Sequence, residues 1–350
     1  MDGPAGRYDH SPDLLYGQRR RSDFFRCRVP LLGQLSITMN LLEKPNLLSL
    51  IILLLIFVLA GGYGLITYTQ RPETDHFHLV DDFDFPFNFE KPDQLVGLPS
   101  QLNEISGLAP WSETEVLGVQ DEDGELFVIN TVSGTITKEF RFGKDRDYEG
   151  VARQEDTLYV LEVDGDVHRF VLEDGKREYD AEKLETPFSY RNDLEGICYD
   201  SESQQLLMTP KAQELNPAEA DQNRRGIYAY QPQTGELAPQ PLYYIDEYEV
   251  GEAIYGKRSR YIIKPSGIAV DPLSGNVYVI SSVGHIMLVI NRESQLLHIE
   301  LLPPKMFPQP EGITFNDAGD LFISSEGRGG EAKLATFTRR QTDQNDQLNE

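Results

Sequence analysis

Glu195-Gly196-Ile197 is the clearest of five short phrases in which an acidic or small residue, a glycine and an apolar residue open a strand-like run. The other four, in chain order, are Glu104-Ile105-Ser106-Gly107-Leu108, Glu149-Gly150-Val151, Ser266-Gly267-Ile268 and Glu311-Gly312-Ile313. Their glycines lie 43, 46, 71 and 45 residues apart. Because blade repeats recur every ~40–50 residues, this period indicates a circular array of small sheets.

Each phrase is followed by a polar turn and then by a strand rich in aromatic and β-branched residues. These second strands are Val116–Val119, Leu158–Leu161, Leu206–Thr209, Val277–Ile280 and Leu321–Ser324. A third apolar run usually follows, and a fourth is visible in several units. Four short antiparallel strands are the composition of a propeller blade. We therefore expect an all-β protein with a five-bladed β-propeller.

The 71-residue step between the third and fourth glycines is longer than the others. It holds two excursions, a polar one over 213–223 and a charge- and tyrosine-rich one over 247–260. Without about 25 inserted residues the step would match its neighbours, which favours five units. A six-bladed ring with one degenerate blade inside 210–264 is the alternative. To close the ring, we expect the aromatic segment Phe77–Phe89 to supply the outermost strand of the last blade.

An apolar run without charge covers the 22 residues from Leu47 to Tyr68. As a helix it would be ~33 Å long, which is enough to cross a bilayer. Seven Lys/Arg residues precede it, whereas Arg71 and an acidic stretch follow it. The positive-inside rule then places the N-terminus in the cytoplasm. The run is longer than a signal-peptide core and far from the N-terminus, which favours a retained single-pass anchor in the inner (cytoplasmic) membrane.

The predicted organisation follows from these two features. A flexible cytoplasmic tail is expected over residues 1–46, a transmembrane helix over 47–68, a linker over 69–78, the β-propeller over 79–340 and a disordered tail over 341–350. The propeller would then be periplasmic or otherwise extracytoplasmic.

The charge of the chain is strongly negative and unevenly distributed. The net charge is −25, with seven Lys/Arg against five Asp/Glu in residues 1–70 and 25 against 52 in residues 71–350. A body this acidic repels nucleic acid, so we expect no DNA or RNA partner. The two cysteines, Cys27 and Cys198, lie on opposite sides of the apolar run, so no disulfide framework is expected.

Acidic residues recur at positions that a propeller brings to one mouth of its central channel. The first strand of each blade lies nearest the axis, and the antiparallel second strand ends at the same mouth. The acids at these positions are Glu104, Glu149, Glu195 and Glu311 before or within the first strands, and Asp121, Glu162 and Glu326 at the ends of second strands. Like charges this close raise one another's pKa unless a cation, a lysine or backbone N–H groups compensate them.

Three solutions to this charge problem are open from the sequence. Ca²⁺ could bind, because it takes 6–8 oxygen ligands in a flexible shell. Lys211 or Lys264 could pair with the acids, or each glutamate could accept backbone N–H bonds from the next blade. We favour Ca²⁺, and prefer it to Zn²⁺ because no histidine or cysteine joins the set.

The phrases Asn103–Leu108, Asp193–Ile197 and Pro310–Ile313, together with the N-terminal apolar run, resemble the SdiA-regulated (YjiK-like) family of bacterial proteins. The resemblance covers roughly residues 75–340. It implies a five-bladed propeller distantly related to NHL-repeat propellers, with a calcium ion near the axial acids and no established enzymatic activity. Matched motif to motif, the best ligand candidates are Glu149, Glu195 and Glu311, with Glu104 behind them; the fourth copy has Ser266 where glutamate is expected.

The functional hypothesis is a membrane-anchored extracytoplasmic propeller that binds Ca²⁺ and serves as a binding or scaffold module. Its ligand at the propeller face, a protein or a small molecule, is not identified by the sequence. The alternative is a calcium-dependent hydrolase, similar in plan to propeller phytases or lactonases. We favour the first, because no nucleophile elbow, phosphate-binding loop or HExxH pattern is present.

Overall fold

The computed structural model describes residues 52, 56, 76–80, 83–216 and 223–340. The chain divides into two units, residues 1–71 and residues 72–350. The predicted cytoplasmic tail, nearly all of the predicted span and the predicted C-terminal tail fall outside the described residues. Within the part that is described, no helix is both long and apolar enough to cross a bilayer.

Nearly all of the regular secondary structure described within residues 72–350 is β-strand. In chain order the strands are β1 (His76–His78), β2 (Gln94–Gly97), β3 (Ile105–Ser112), β4 (Glu115–Gln120), β5 (Glu125–Asn130), β6 (Ile136–Arg141), β7 (Tyr148–Gln154), β8 (Thr157–Glu162), β9 (Val167–Val171), β10 (Glu182–Leu184), β11 (Leu194–Asp200), β12 (Gln205–Pro210), β13 (Arg224–Gln231), β14 (Glu236–Leu237), β15 (Tyr243–Asp246), β16 (Lys264–Val270), β17 (Val277–Val283), β18 (Ile286–Ile290), β19 (Leu296–Leu301), β20 (Pro310–Phe315), β21 (Leu321–Ser325) and β22 (Lys333–Phe337). One 3₁₀ turn, Ser100–Leu102, and one helix, α1 (Glu247–Tyr255), complete the described elements.

Five antiparallel sheets, one for each phrase, are present in the described residues and confirm the five-bladed β-propeller. Blade 1 is β3–β6, blade 2 is β7–β10, and blade 3 is β11–β14 with β15 also paired to β13. Blade 4 is β16–β19 with β1 added at its edge, and blade 5 is β20–β22 with β2 added at its edge. The innermost strand of each blade contacts that of the next, and β20 contacts β3, so the ring closes without a sixth blade.

The core lies between adjacent blades. The central strands of each sheet are buried along nearly their whole length, because each blade is covered on both faces by its neighbours. Every residue of β18, the third strand of blade 4, is buried. Between blades 1 and 2 the contact includes Phe142, Tyr148 and Phe170, with the rings of Phe142 and Phe170 stacked 5.9 Å apart. Apolar side chains on both faces of each inner strand thus hold the ring together.

The ring is closed by an N-terminal strand, but not by the predicted one. Strand β2 pairs with β22 and completes blade 5, whereas residues 83–89 form no strand. Phe85, Phe87 and Phe89 are instead buried between blades 4 and 5, where Phe85 stacks on His298 with 3.8 Å between ring centroids. The prediction that Phe77–Phe89 supplies the last strand was therefore wrong. Alternating aromatic and polar residues suit a strand, but here the aromatic rings fill the wedge between two sheets.

Candidate functional site

A β-bulge interrupts the first strand of every blade at the phrase. The register shifts fall between Ile105 and Gly107, Tyr148 and Gly150, Leu194 and Gly196, Pro265 and Gly267, and Pro310 and Ile313. The residues that immediately precede the five glycines are Ser106, Glu149, Glu195, Ser266 and Glu311. A bulge re-aims the extra side chain, so the sequence places three glutamates and two serines at equivalent positions around the axis.

The phrase glycines bring neighbouring blades into backbone contact at the axis. A Cβ on Gly107 would lie 2.6 Å from the Cα of Gly150, and one on Gly267 would lie 2.4 Å from the carbonyl oxygen of Glu311. The ring closes at Gly312, where a Cβ would lie 2.7 Å from a side-chain carbon of Leu108. The axial cavity left between these residues is only about 10 Å³, roughly the space of one water molecule. The centre of the ring is therefore closed to anything larger than a small ion or water.

The three bulge glutamates are crowded together in a poorly solvated setting. Glu195 and Glu311 are 5% and 4% exposed, and Glu149 is half-buried. Burial, followed by the charge of Glu195, raises the pKa of Glu149 to about 10. Burial also raises the pKa of Glu195 to about 7, although Lys211 opposes it, and raises that of Glu311 well above its usual range. The Oε2 atom of Glu311 has no hydrogen-bond partner.

Lys211, at the end of β12, supplies a positive charge to this cluster. Its ammonium group forms an ion pair with Glu195 Oε1. Burial lowers the pKa of Lys211, but Glu195 and Glu311 outweigh this effect and raise it to about 12. The same lysine lowers the pKa of Glu149 and Glu311. Pairing with lysine, one of the three solutions open from the sequence, is therefore realised for one glutamate.

The serine of blade 4 joins two blades directly. The Ser266 hydroxyl donates a hydrogen bond to the carbonyl oxygen of Pro310 at 2.7 Å and accepts one from the Ser282 N–H at 3.2 Å. Pro310 begins β20, so this contact ties blade 4 to blade 5. In blade 4, where serine stands in place of the glutamate, a hydroxyl thus connects two blades through a backbone group.

Glu104, Asp121 and Glu326 form a second acidic group, near the seam between blades 5 and 1. Burial, then Glu104 and Glu326, raise the pKa of Asp121 to about 7. Burial also raises the pKa of Glu326, against the charge of Arg328. Glu104 itself is exposed and lies outside β3, so it does not occupy the bulge position, which belongs to Ser106. Matching Glu104 to the other phrase glutamates therefore placed it two residues out of phase.

Glu162 is separated from the axial set by its own ion pairs. The side chain is 1% exposed and accepts hydrogen bonds from Arg146 at 2.7 Å and His168 at 2.9 Å, with Lys183 at 3.5 Å. Burial raises its pKa, but these partners outweigh burial and lower it. The structure thus assigns Glu162 to an ion-pair network inside blade 2 and does not bring it to the axial glutamates.

Glu149, Glu195 and Glu311 have the donor atoms of a Ca²⁺ site but are not grouped as a formed site. In the described part of the chain, no three or more His, Cys, Asp or Glu side chains are grouped closely enough to hold one ion. The donors are nevertheless all carboxylate oxygens, the kind that Ca²⁺ prefers, and one buried oxygen of Glu311 lacks a partner. Glu149, Glu195 and Glu311 are the residues that would hold the ion by drawing together. Calcium binding remains a prediction.

Three polar residues that act on the site were not among the predicted ones. Asp147 and Asp193 raise the pKa of Glu149 and Glu195, and a hydrogen bond from Gln309 lowers the pKa of Glu311. Each lies two residues before its glutamate. This spacing is a sequence signal that could have identified them; at the corresponding positions before Ser106 and Ser266 the chain has Glu104 and Lys264.

Both excursions of blade 3 emerge at the acidic mouth. Residues 213–216 follow Lys211 at the end of β12, which is the mouth end of that strand. Helix α1 lies between the end of β15 and the start of β16, at the same end of the sheet, because β15 runs antiparallel to β13 and its Asp246 pairs with Arg224. The topology therefore positions both segments beside the site.

Comparison with solved structures found matches of low sequence identity. The glutaminyl cyclase of Myxococcus xanthus is 12% identical, covers 72% of this chain and 97% of its own, and has a TM-score of 0.48. A luciferin-regenerating enzyme (12%, covering 72% and 98%, TM-score 0.45) and the PQQ-bound aldose sugar dehydrogenase of Streptomyces coelicolor (12%, covering 71% and 97%, TM-score 0.45) are similar to the same degree. At this level the three structures say nothing about the activity of this chain.

Comparison by sequence identifies the family of this chain. No curated protein matches it. A family model described as SdiA-regulated matches residues 96–328, a range that holds β3–β21 and all five phrases. The family that the phrases resemble is therefore the one that the model identifies. The chain belongs to the SdiA-regulated family.

Proposed function

We propose that this chain is a membrane-anchored extracytoplasmic β-propeller whose acidic mouth binds Ca²⁺ and which serves as a binding or scaffold module. The observations that carry the proposal are the electrostatic effects of Glu195 and Glu311 on Glu149 and of Glu195 on Glu311, together with the buried, unpartnered Oε2 atom of Glu311. Carboxyl groups with raised pKa values retain their protons near neutral pH, so a cation would bind by displacing these protons and would then stabilise the anions.

The closed axis favours a binding role over catalysis at this point. The glycine contacts leave an axial cavity of about 10 Å³. That volume suits an ion but leaves no passage for a substrate through the ring. When bound, the ion would neutralise the carboxylates of blades 2, 3 and 5 together, and so would stabilise their contacts around the axis.

The proposed test is a calorimetric titration of the full chain with Ca²⁺. Wild type should take up about one ion per chain, and Glu149→Gln/Glu195→Gln should weaken binding at least about ten-fold, because two charged ligands are lost. Glu293→Gln, which removes an exposed glutamate of blade 4, is the matched control and should bind as wild type does. Equal uptake by the double variant and wild type would reject the axial site.

The enzymatic alternative is tested with the same samples. Phosphate esters and lactones are supplied with and without Ca²⁺, and hydrolysis is followed by product release. Binding without hydrolysis supports the scaffold role. Calcium-dependent turnover that disappears in the double variant would replace it with the hydrolase.

The membrane anchor rests on the sequence of Leu47–Tyr68 and on the basic residues before it. Labelling of intact cells with an impermeant maleimide tests the orientation. Val132→Cys, at a position that is 62% exposed, should react, whereas native Cys27 should react only after lysis. The reverse pattern would contradict the proposed topology.

A further inference from the structure

A groove between blades 1 and 2 contains the only tryptophan of the chain. Trp111 lies near the end of β3, Lys138 and Phe140 lie on β6, and Arg177 and Tyr179 lie on the loop between β9 and β10. The groove has a volume of about 550 Å³. Small-molecule sites usually measure ~300–1,000 Å³, so the groove can hold a compact ligand.

The outer wall of the groove is held in place by backbone pairing between the two blades. The N–H of Arg141, at the end of β6, donates to the carbonyl oxygen of Arg177 at 2.8 Å, and the N–H of Tyr179 donates to the carbonyl oxygen of Arg141 at 2.8 Å. The ring of Tyr179 packs 4.6 Å from that of Phe170. The loop is therefore docked on blade 1, and the groove is formed before any ligand arrives.

Two cations are positioned on the tryptophan. The guanidinium carbon of Arg153 lies 4.5 Å from the centre of the Trp111 ring, and the ammonium nitrogen of Lys138 lies 5.1 Å from it. Arg153 donates its hydrogen bonds to the carbonyl oxygens of Pro110, Trp111 and Glu155, none of which carries a charge. Burial lowers the pKa of Arg153, although the charges of Asp156 and Asp317 oppose this effect.

The acidic residues of the groove compensate its cations only in part; Asp156, for example, acts on the charge of Arg153 without forming an ion pair with it. Glu173 is paired with Lys176 at 2.5 Å, while Glu139, Asp156 and Asp174 are exposed. Among the described residues, no carboxylate forms an ion pair with Lys138, Arg153 or Arg177. Because the body as a whole is strongly acidic, it repels a polyanion more strongly than a ligand with a single negative charge.

We propose that this groove binds a small monocarboxylate with an apolar ring. The carboxylate would pair with Lys138 and Arg177, and the ring would pack against Trp111, Phe140 and Tyr179. Charge-assisted hydrogen bonds are about twice as strong as neutral ones, so the carboxylate provides selectivity and the ring provides buried area. The proposal is independent of the calcium site, which lies on the axis.

Trp111 is itself the reporter for the test, because no other tryptophan contributes to the emission. The full chain is titrated with cyclohexanecarboxylate, with the neutral cyclohexanecarboxamide and with acetate, which has the charge but no ring. The expected result is a saturable change in tryptophan emission with cyclohexanecarboxylate and a response at least about ten-fold weaker with the other two. Equal responses to the acid and the amide, or no saturable response to the acid, would overturn the proposal.

Two variants separate the site from a general salt effect. Lys138→Met/Arg177→Met keeps every groove aromatic, and should weaken the response to cyclohexanecarboxylate at least about ten-fold. Lys91→Met/Lys305→Met removes two exposed lysines away from the groove and should leave the response unchanged. Circular dichroism confirms that both variants are folded. A double groove variant that responds as wild type does would show that Lys138 and Arg177 do not hold the ligand.

Discussion

At the scale of single residues, the acidic mouth is a balance between carboxylates and one lysine. Glu149, Glu195 and Glu311 disfavour one another as anions, and Lys211 is the positive charge that the chain itself supplies. The ion pair between Lys211 and Glu195 is partly buried, so its partners are weakly screened by solvent. On the proposed function, a bound metal ion would compete with Lys211 for the same carboxylate.

Replacing Lys211 tests this competition. Lys211→Met should increase the affinity for Ca²⁺ by about ten-fold, because Glu195 is then free to ligate the ion. Without Ca²⁺ the same variant should be less stable than wild type, since Glu195 loses its partner. Calorimetry and urea unfolding measure the two effects, with Lys91→Met as the control. Weaker calcium binding in Lys211→Met would show that the lysine supports the site instead of competing for it.

The pH dependence of stability follows from the raised pKa of Glu149. The folded protein retains a proton that the unfolded chain releases above pH 4.5, so the contribution of this residue to stability falls as the pH rises from 4.5 towards 10. In EDTA, Glu149→Gln should therefore gain about 1–3 kcal/mol over wild type at pH 8 and almost nothing at pH 4. Urea unfolding at both pH values measures this difference. A variant that is equally stable relative to wild type at pH 4 and pH 8 would contradict the burial of Glu149 as a proton-binding group.

At the scale of elements, the buried carboxylate of Glu247 connects helix α1 to blade 3. The side chain of Glu247 has no exposure and accepts hydrogen bonds from Arg225 at 3.1 Å, Arg260 at 2.5 Å and the Ile263 N–H at 3.0 Å. Helix α1 begins after its N-cap residue Asp246, whose side chain accepts hydrogen bonds from the N–H groups of Tyr248 and Glu249. One residue thus joins β13, α1 and the segment that leads to β16.

Removing that carboxylate should loosen the region beside the acidic mouth. Glu247→Ala removes the buried carboxylate that both Arg225 and Arg260 contact, and removal of one member of a buried ion pair costs about 3–5 kcal/mol. Hydrogen exchange should show lost protection in α1 and β15, together with a lower urea midpoint. The control is Glu252→Ala, an exposed residue of the same helix. Full protection of α1 in Glu247→Ala would show that packing of Val250 and Ile254 is sufficient to hold the helix.

At the scale of the whole molecule, closure depends on a strand that is distant in sequence from its blade. The N–H of Leu98 donates a hydrogen bond to the carbonyl oxygen of Ala332 at 2.8 Å. Because hydrogen-bonded pairs alternate along an antiparallel ladder, the N–H of Val96 donates to the carbonyl oxygen of Leu334, its partner in the register. Val96→Pro removes this donor and should lower the free energy of unfolding by about 1–3 kcal/mol, since a buried acceptor is left unpaired. Val96→Ala controls for the lost side chain. Equal urea midpoints for the two variants would show that β2 contributes packing but not pairing.

The number and order of blades could be predicted because each blade carries its own phrase, second strand and turn. The strand that closes the ring could not be predicted. The alternation of aromatic and polar residues from Phe83 to Phe89 is compatible with an edge strand and equally with aromatic rings packed between two blades. Glu149, Glu195 and Glu311 could be read from the sequence because each directly precedes a phrase glycine. Glu104 does not, since Ser106 precedes Gly107 and occupies the bulge, and the bulge itself depends on the pairing of β3 with β4.

The central claim is that Glu149, Glu195 and Glu311, which come from three separate blades, hold one cation at the axis. Anomalous scattering from crystals grown with Tb³⁺ in place of Ca²⁺ tests it most directly. The account predicts one strong peak at the acidic mouth, within ligand distance of carboxylate oxygens from all three residues. A peak elsewhere, or an axis occupied by Lys211 alone at saturating Tb³⁺, would contradict it.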